Sequence, residues 1–170
     1  MTIPRLKEPR QAYGFEEVAI VPGDMTINPD QTNIDLEIGN IQLTIPIMAA
    51  AMDAIVSPKF ATLMSQLGGL GIMNLEGLYS RYENPQDAID RIAESHPENT
   101  TTLLQEIYSK PINENLIGAR ITEIVKGGKC AVSVTPQNAK KLAPVAVEAG
   151  ADIIVVQSTV TTARHASKSY

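Results

Sequence analysis

Residues 45–69 read IPIMAAAMDAIVSPKFATLMSQLGG, and the changes of pattern inside this stretch decide the fold class. Its first part, IPIMAAAM, is apolar at every position rather than at every second one. That is the pattern of a short strand covered on both faces in a parallel sheet, and the run is too short for an ordinary helix. Ser57-Pro58 then supplies an N-cap and a proline at the first helical position. Phe60, Leu63, Met64 and Leu67 follow at helical spacing until Gly68-Gly69 stops the helix. The stretch is one βα unit.

The same order repeats downstream. LGIMNL at 70–75 is a second short buried strand, and Asn84-Pro85 opens a helix carrying Ala88, Ile89, Ile92 and Ala93. His96-Pro97 ends it, residues 100–108 form a further helix, and residues 116–125 place Ile117, Ile121, Ile124 and Val125 on one face before Gly127-Gly128. Residues 80–126 therefore read as a helical elaboration of one crossover. The third strand, 130–135, leads through Thr135-Pro136 into a helix ending at Gly150, which Pro144 should kink or interrupt. The fourth strand is 152–157. Upstream, residues 34–45 alternate apolar and polar around Gly39-Asn40, a hairpin with a two-residue turn and one buried face.

Four strands alternating with helices argue for a parallel α/β sheet, either doubly wound or closed into a barrel, and periodicity does not choose between them. A complete (β/α)8 barrel needs about 250 residues. On the barrel reading, the 170 residues here are its first half.

The composition, 44% hydrophobic and 19% charged, suits one soluble globular domain. A net charge of -5 with acids and bases interspersed gives no basic stripe for a phosphate backbone, which argues against nucleic acid as a partner. The apolar run at 45–54 is broken by Pro46 and Asp53 and falls short of the roughly 20 residues of a membrane helix, so no membrane partner is expected. One cysteine makes no internal disulfide, and MTIPRLKEPRQ carries no apolar leader, so the expected location is cytoplasmic.

In a parallel α/β sheet, ligands gather where strands end and loops begin. The residues at that rim are Ala50, Ala51, Met52 and Asp53 after the first strand and Asn74, Leu75 and Glu76 after the second. Thr135 follows the third strand, and Gln157, Ser158 and Thr159 follow the fourth. Asp53 and Glu76 form a carboxylate pair for acid-base work if they face each other; an acid in such a loop is equally an ordinary cap or ion-pair partner. Cys130 begins its strand and so points to the opposite end, where a small apolar filler is expected. His96 reads as solvated, His165 follows the fourth strand beside Arg164, and no metal-ligand cluster stands out. Gly68-Gly69-Leu70-Gly71 lies between a helix and a strand, the reverse of a dinucleotide fingerprint, and reads as a helix stop.

Taken in series, FEEVAIVPGDMT, the hairpin, IPIMAAAMDAIVS, LGGLGIMNLEGL and GADIIVVQST resemble the IMP dehydrogenase and GMP reductase family, closest to its bacterial IMP dehydrogenase-related branch. The resemblance implies an aldolase-type (β/α)8 TIM barrel of which about the first four βα units are present. On this basis residues 1–44 are an N-terminal arm and hairpin, and residues 45–170 the first half of the barrel. It further implies a cytoplasmic homotetramer that binds a purine mononucleotide, GMP or IMP, and NADPH or NAD, with a monovalent cation at the cysteine loop. Carried over by position, Ala50 and Met52 touch the nucleotide, while Asn74, Gln157, Ser158 and Thr159 serve the cofactor. The family's nucleophilic cysteine, which forms a covalent thioimidate at purine C2, is expected beyond Tyr170.

Two departures bear on direction. Gln157 stands where the family commonly has an aspartate, and Asn74-Leu75 where it commonly has a histidine-lysine pair whose lysine helps reductases. Against the second, dehydrogenases typically insert a paired CBS module where residues 80–126 stand, and that segment is too short to hold one. The balance favours GMP reductase, with IMP dehydrogenase and a noncatalytic nucleotide-binding homologue as alternatives.

Overall fold

A computed structural model describes residues 10–158. The chain divides into two compact units, Met1–Asn33 and Ile34–Tyr170. In the first, the described residues form two single 3-10 turns, Phe15–Glu17 and Pro29–Gln31, each closed by a side chain three residues on: Glu17 accepts from the N–H of Gly14 and Gln31 from that of Asn28.

The second unit opens with an antiparallel hairpin, β1 (Leu36–Ile38) and β2 (Ile41–Leu43), turned by Gly39 and Asn40. Gly39 takes a φ of 61° and Asn40 does not follow it to positive φ, the sign pattern of a type II′ turn. Ile41 and Leu43 are buried against Leu70 and Ala131, so the hairpin covers one end of one sheet face. The sequence reading grouped the hairpin with the arm; compactness groups it with the sheet.

Next come β3 (Met48–Ala49), α1 (Pro58–Gln66), β4 (Leu70–Asn74), α2 (Gln86–Ala93), α3 (Pro97–Ser109), α4 (Glu114–Val125), β5 (Ala131–Val134), α5 (Pro136–Glu148) and β6 (Ile153–Val156). The strands pair in parallel in the order β3-β4-β5-β6, with registers such as Met48↔Leu70, Ile72↔Ala131 and Ala131↔Ile153. Neighbours in chain order are neighbours in the sheet, the connectivity of a (β/α) barrel wall rather than of a sheet that reverses direction.

Side-chain parity splits the sheet into two faces. Met73, Val132, Val134 and Ile154 face the helices, packed with Ala61 of α1, Ile117, Ile121 and Ile124 of α4, and Leu142 and Ala146 of α5. Leu70, Ile72, Ala131 and Ile153 face the other way and meet the hairpin. Among the helices of residues 80–126, α4 is the one that covers the sheet. Arg120 on α4 donates to the carbonyls of Tyr79, Tyr82 and Glu83 and so holds down the loop after β4. Helices α2 and α3 close on a separate cluster around Leu78, Ala88 and Ile107.

Three local expectations need correction. The first strand is not covered on both faces: β3 is two residues long, sits at the edge of the sheet, and leaves Ile47 and Met48 exposed. In α1 the expected cap is present, with Ser57 accepting from the N–H of Phe60 at 3.0 Å, but Leu63 and Leu67 are exposed. The helix meets β4 through small residues, fully buried Ala61 against Gly71, which keeps its leucines off the sheet. Finally, α5 runs through Pro144 without a break. Pro144 lies on the exposed side, while Leu142 and Ala146 on the buried side hold the helix to the core.

Candidate functional site

Parity and register bring the ends of β4, β5 and β6 together. Asn74 and Ser133 are register partners, and the N–H of Gln157 donates to the carbonyl of Val134 at 2.9 Å, which seats the residue after β6 beside the end of β5. The result is a rim cleft of about 550 Å³ lined by Ala51, Asn74, Glu76, Ser133, Val134, Thr135, Gln157 and Ser158. Among the described residues, no lysine or arginine lines it.

Each polar group has a definite state. The Asn74 side-chain Oδ1 accepts from the N–H of Glu76 at 3.0 Å, closing an Asx turn and leaving the side-chain amide N–H groups as the donors it can offer a ligand. Gln157 and Ser158 are exposed. Ser133 is buried at the cleft floor. Sequence reasoning passed over it, although in CAVSV it is the one polar residue and lies two positions before Thr135 on the same strand face.

Glu76 and Asp53 do not act as a pair. Glu76 accepts from the Thr135 N–H at 2.5 Å, from the Thr135 hydroxyl at 3.1 Å and from the Asn138 side-chain amide. It thereby caps the first turn of α5, whose N-cap Thr135 makes no side-chain cap of its own. Asp53 turns to α3, where its Oδ2 accepts the Tyr108 hydroxyl at 2.6 Å; its Oδ1 is buried with no hydrogen-bond partner among the described residues. Burial raises the Tyr108 phenol well above its ordinary range, and the hydrogen bond to Asp53 and its negative charge add to the shift. Tyr79 is raised too, mainly by burial, with the Asp53 charge adding and Ser57 and Arg120 opposing.

The loop that carries Asp53 also carries Ala50 and Met52. Both are exposed and lie outside the cleft lining, to which their neighbour Ala51 belongs. The loop is closed on itself by backbone bonds, Met52 N–H to Ala50 at 2.8 Å and the N–H groups of Ile55 and Val56 to Met52 at 2.9 Å. The Met52 backbone is fixed and its side chain presented.

Cys130 is fully buried at the other end of the sheet, its N–H donating to Asp152 at 2.8 Å. Burial, with the Asp152 charge adding, pushes its thiol up to about 12, so no thiolate forms near neutrality. His96 is exposed at the start of α3. Thr159 and His165 lie outside the described residues. Among the described residues no group of three or more His, Cys, Asp or Glu could hold a metal ion, and no helix is long and apolar enough to cross a membrane.

Residues 12–169 match the family model of the IMP dehydrogenase / GMP reductase domain. An uncharacterized oxidoreductase of Mycobacterium tuberculosis is 37% identical over 160 residues, covering 91% of this chain and 43% of that protein. An inosine-5′-monophosphate dehydrogenase of Methanocaldococcus jannaschii is 34% identical over 74 residues, 44% of this chain and 15% of that protein. The crystal structure of an IMP dehydrogenase/GMP reductase-like protein from Corynebacterium glutamicum superposes with a TM-score of 0.84 at 32% identity, over 94% of this chain and 44% of that one. The chain thus spans less than half the length of the mycobacterial relative and of the solved structure.

Proposed function

This chain belongs to the IMP dehydrogenase / GMP reductase family and has the fold of the first part of its (β/α)8 barrel, and from that premise we propose that the protein is a purine nucleotide oxidoreductase, specifically a GMP reductase. The observation that carries the reading is the rim cleft, where the amides and hydroxyls of Asn74, Ser133, Gln157 and Ser158 converge beside the loop bearing Ala50 and Met52. The direction rests on residues 80–126, which form α2, α3 and α4 where a dehydrogenase of this family typically carries its CBS module.

The groups in the cleft suit a nicotinamide cofactor. Uncharged amide donors and acceptors match a carboxamide and ribose hydroxyls, and the one charged lining group among the described residues, Glu76, is committed to α5. Asn74 and Gln157 would hold the carboxamide end, and Ser158 with Thr159 the ribose. When bound there, the cofactor, NADPH in this reading, would supply hydride chemistry at purine C2. Ala50, with no side chain beyond Cβ, leaves room for the nucleotide. The half-exposed thioether of Met52 offers a soft apolar surface to the base. The nucleophile that would displace ammonia from GMP is, as the family resemblance implies, a cysteine beyond Tyr170; Cys130 itself is buried at the opposite end of the sheet as a thiol. A cytoplasmic homotetramer, with a monovalent cation at that cysteine loop, completes the proposal.

The test is spectrophotometric. The full-length protein mixed with GMP and NADPH should consume the reduced-nicotinamide absorbance and release ammonia. Absorbance gained instead from IMP and NAD would make it a dehydrogenase. Silence with both pairs would leave a nucleotide-binding homologue without this chemistry.

A further inference from the structure

The geometry points to Tyr108 as a positioning residue that holds the loop of Ala50 to Asp53 in place through Asp53, and so lets helix α3 set nucleotide affinity. The link to the nucleotide rests on the reading of Ala50 and Met52 given above.

Tyr108 reaches Asp53 across 55 positions of sequence, and at 2.6 Å the contact has the length of a charge-assisted O–H···O⁻ bond. It is also the one hydrogen bond to that carboxylate among the described residues, since Oδ1 is buried without a partner. The second oxygen has no room to turn elsewhere: it lies against Gly77, where even a Cβ would fall within 1.8 Å of it. A half-buried carboxylate with one oxygen shielded from water and a single donor on the other depends on that donor, so the loop has a preference for the position in which the phenol meets it.

The phenol, in turn, is presented from a fixed point. One residue earlier, the carbonyl of buried Ile107 accepts the Tyr82 hydroxyl at 2.9 Å. Two residues later, the carbonyl of Lys110 accepts from the Arg81 guanidinium, whose carbon stands 5.9 Å from the Tyr108 ring centroid. Arg81 also donates to the carbonyl of Glu76, at the mouth of the rim cleft. The end of α3 is therefore clamped to the loop after β4, and Tyr108 projects from the clamp to the loop after β3. A purely structural contact would hold α3 to the barrel and leave the rim indifferent. Here the anchored partner is α3, and the partner held by one bond is the residue that follows Met52.

The experiment is Tyr108→Phe in the full-length protein, read by hydrogen exchange and by steady-state kinetics. The N–H groups of Met52, Ile55 and Val56, all bonded within the loop, should exchange about tenfold faster, while amides of β4 and β5 keep their rates. The nucleotide KM should rise about tenfold with kcat within about twofold, since the variant weakens placement and leaves the chemistry alone. Asp53→Asn, which keeps an acceptor for the phenol, should show a smaller rise. Unchanged exchange in the loop would overturn the proposal, and so would faster exchange with an unchanged KM. If the wild-type protein turns over no purine nucleotide, the functional reading has failed on its own, and the exchange rates still decide whether Tyr108 holds the loop.

Discussion

Glu76 and Thr135 stand at the ends of neighbouring strands, and the Glu76 carboxylate takes both the backbone N–H of Thr135, at 2.5 Å, and its hydroxyl, at 3.1 Å. One side chain thus closes the start of α5 and forms one wall of the cleft. Glu76→Ala strips the helix of its cap and of a favourable charge at its N-terminus, at a cost of about 1–2 kcal/mol. Thermal unfolding should show it as a loss of several degrees. Glu76→Gln keeps an acceptor and should lose less than half as much; equal losses in the two variants would mean that charge, not hydrogen bonding, is what α5 requires.

Cys130 is inert at neutral pH, and its effect on stability should emerge in alkali. In the unfolded chain a thiol ionises near pH 8.5; in the folded protein it holds its proton to about 12. The folded state therefore binds the proton more tightly, a contribution complete below about pH 8.5 and lost as pH rises toward 12. Tyr79 and Tyr108, both raised, act in the same direction from about pH 10 upward. Urea midpoints should fall steeply between about pH 9 and 12, and less steeply in Cys130→Ala. That variant should also retain full activity, and iodoacetamide should leave the native thiol unmodified.

Much of this was legible in the sequence because the signals are local. Ser57-Pro58 and Gly68-Gly69 bracket α1, and the mainly apolar runs at 70–75 and 130–135 mark interior strands. Strand polarity then sufficed to place Cys130 at the far end and Asn74, Gln157 and Ser158 at the rim. What stayed hidden depends on pairs distant in the chain. Nothing about Tyr108 or Asn138 in isolation says that a carboxylate 55 or 62 residues earlier will take their hydrogens. The burial of α1 escaped for a related reason: helical spacing selects Leu63 and Leu67, whereas the contact with Gly71 selects Ala61.

Gln157 offers a test of the cleft that spares the nucleotide loop. Its backbone is tied to β5 through the carbonyl of Val134, so Gln157→Ala removes the amide without moving the strand. Loss of one hydrogen bond of about 0.5–1.5 kcal/mol should raise the cofactor KM roughly twofold to twelvefold. The nucleotide KM should stay within about twofold. A larger effect on the nucleotide than on the cofactor would assign the cleft to the wrong ligand.

The contact of α1 with β4 includes one tight approach, Ala61 against Gly71. A Cβ on Gly71 would fall 2.8 Å from the Ala61 Cα and 3.2 Å from its Cβ, with Ala61 fully buried. Gly71→Ala must therefore push the helix outward, and overpacking of this kind costs about 1–3 kcal/mol. The closer contact is with main chain, so trimming the neighbour in Gly71→Ala/Ala61→Gly removes only the 3.2 Å contact and should recover little. Urea unfolding of the two variants measures both quantities. Full recovery in the double variant would show that side chains alone set the helix-to-strand distance, and that α1 is free to close on the sheet.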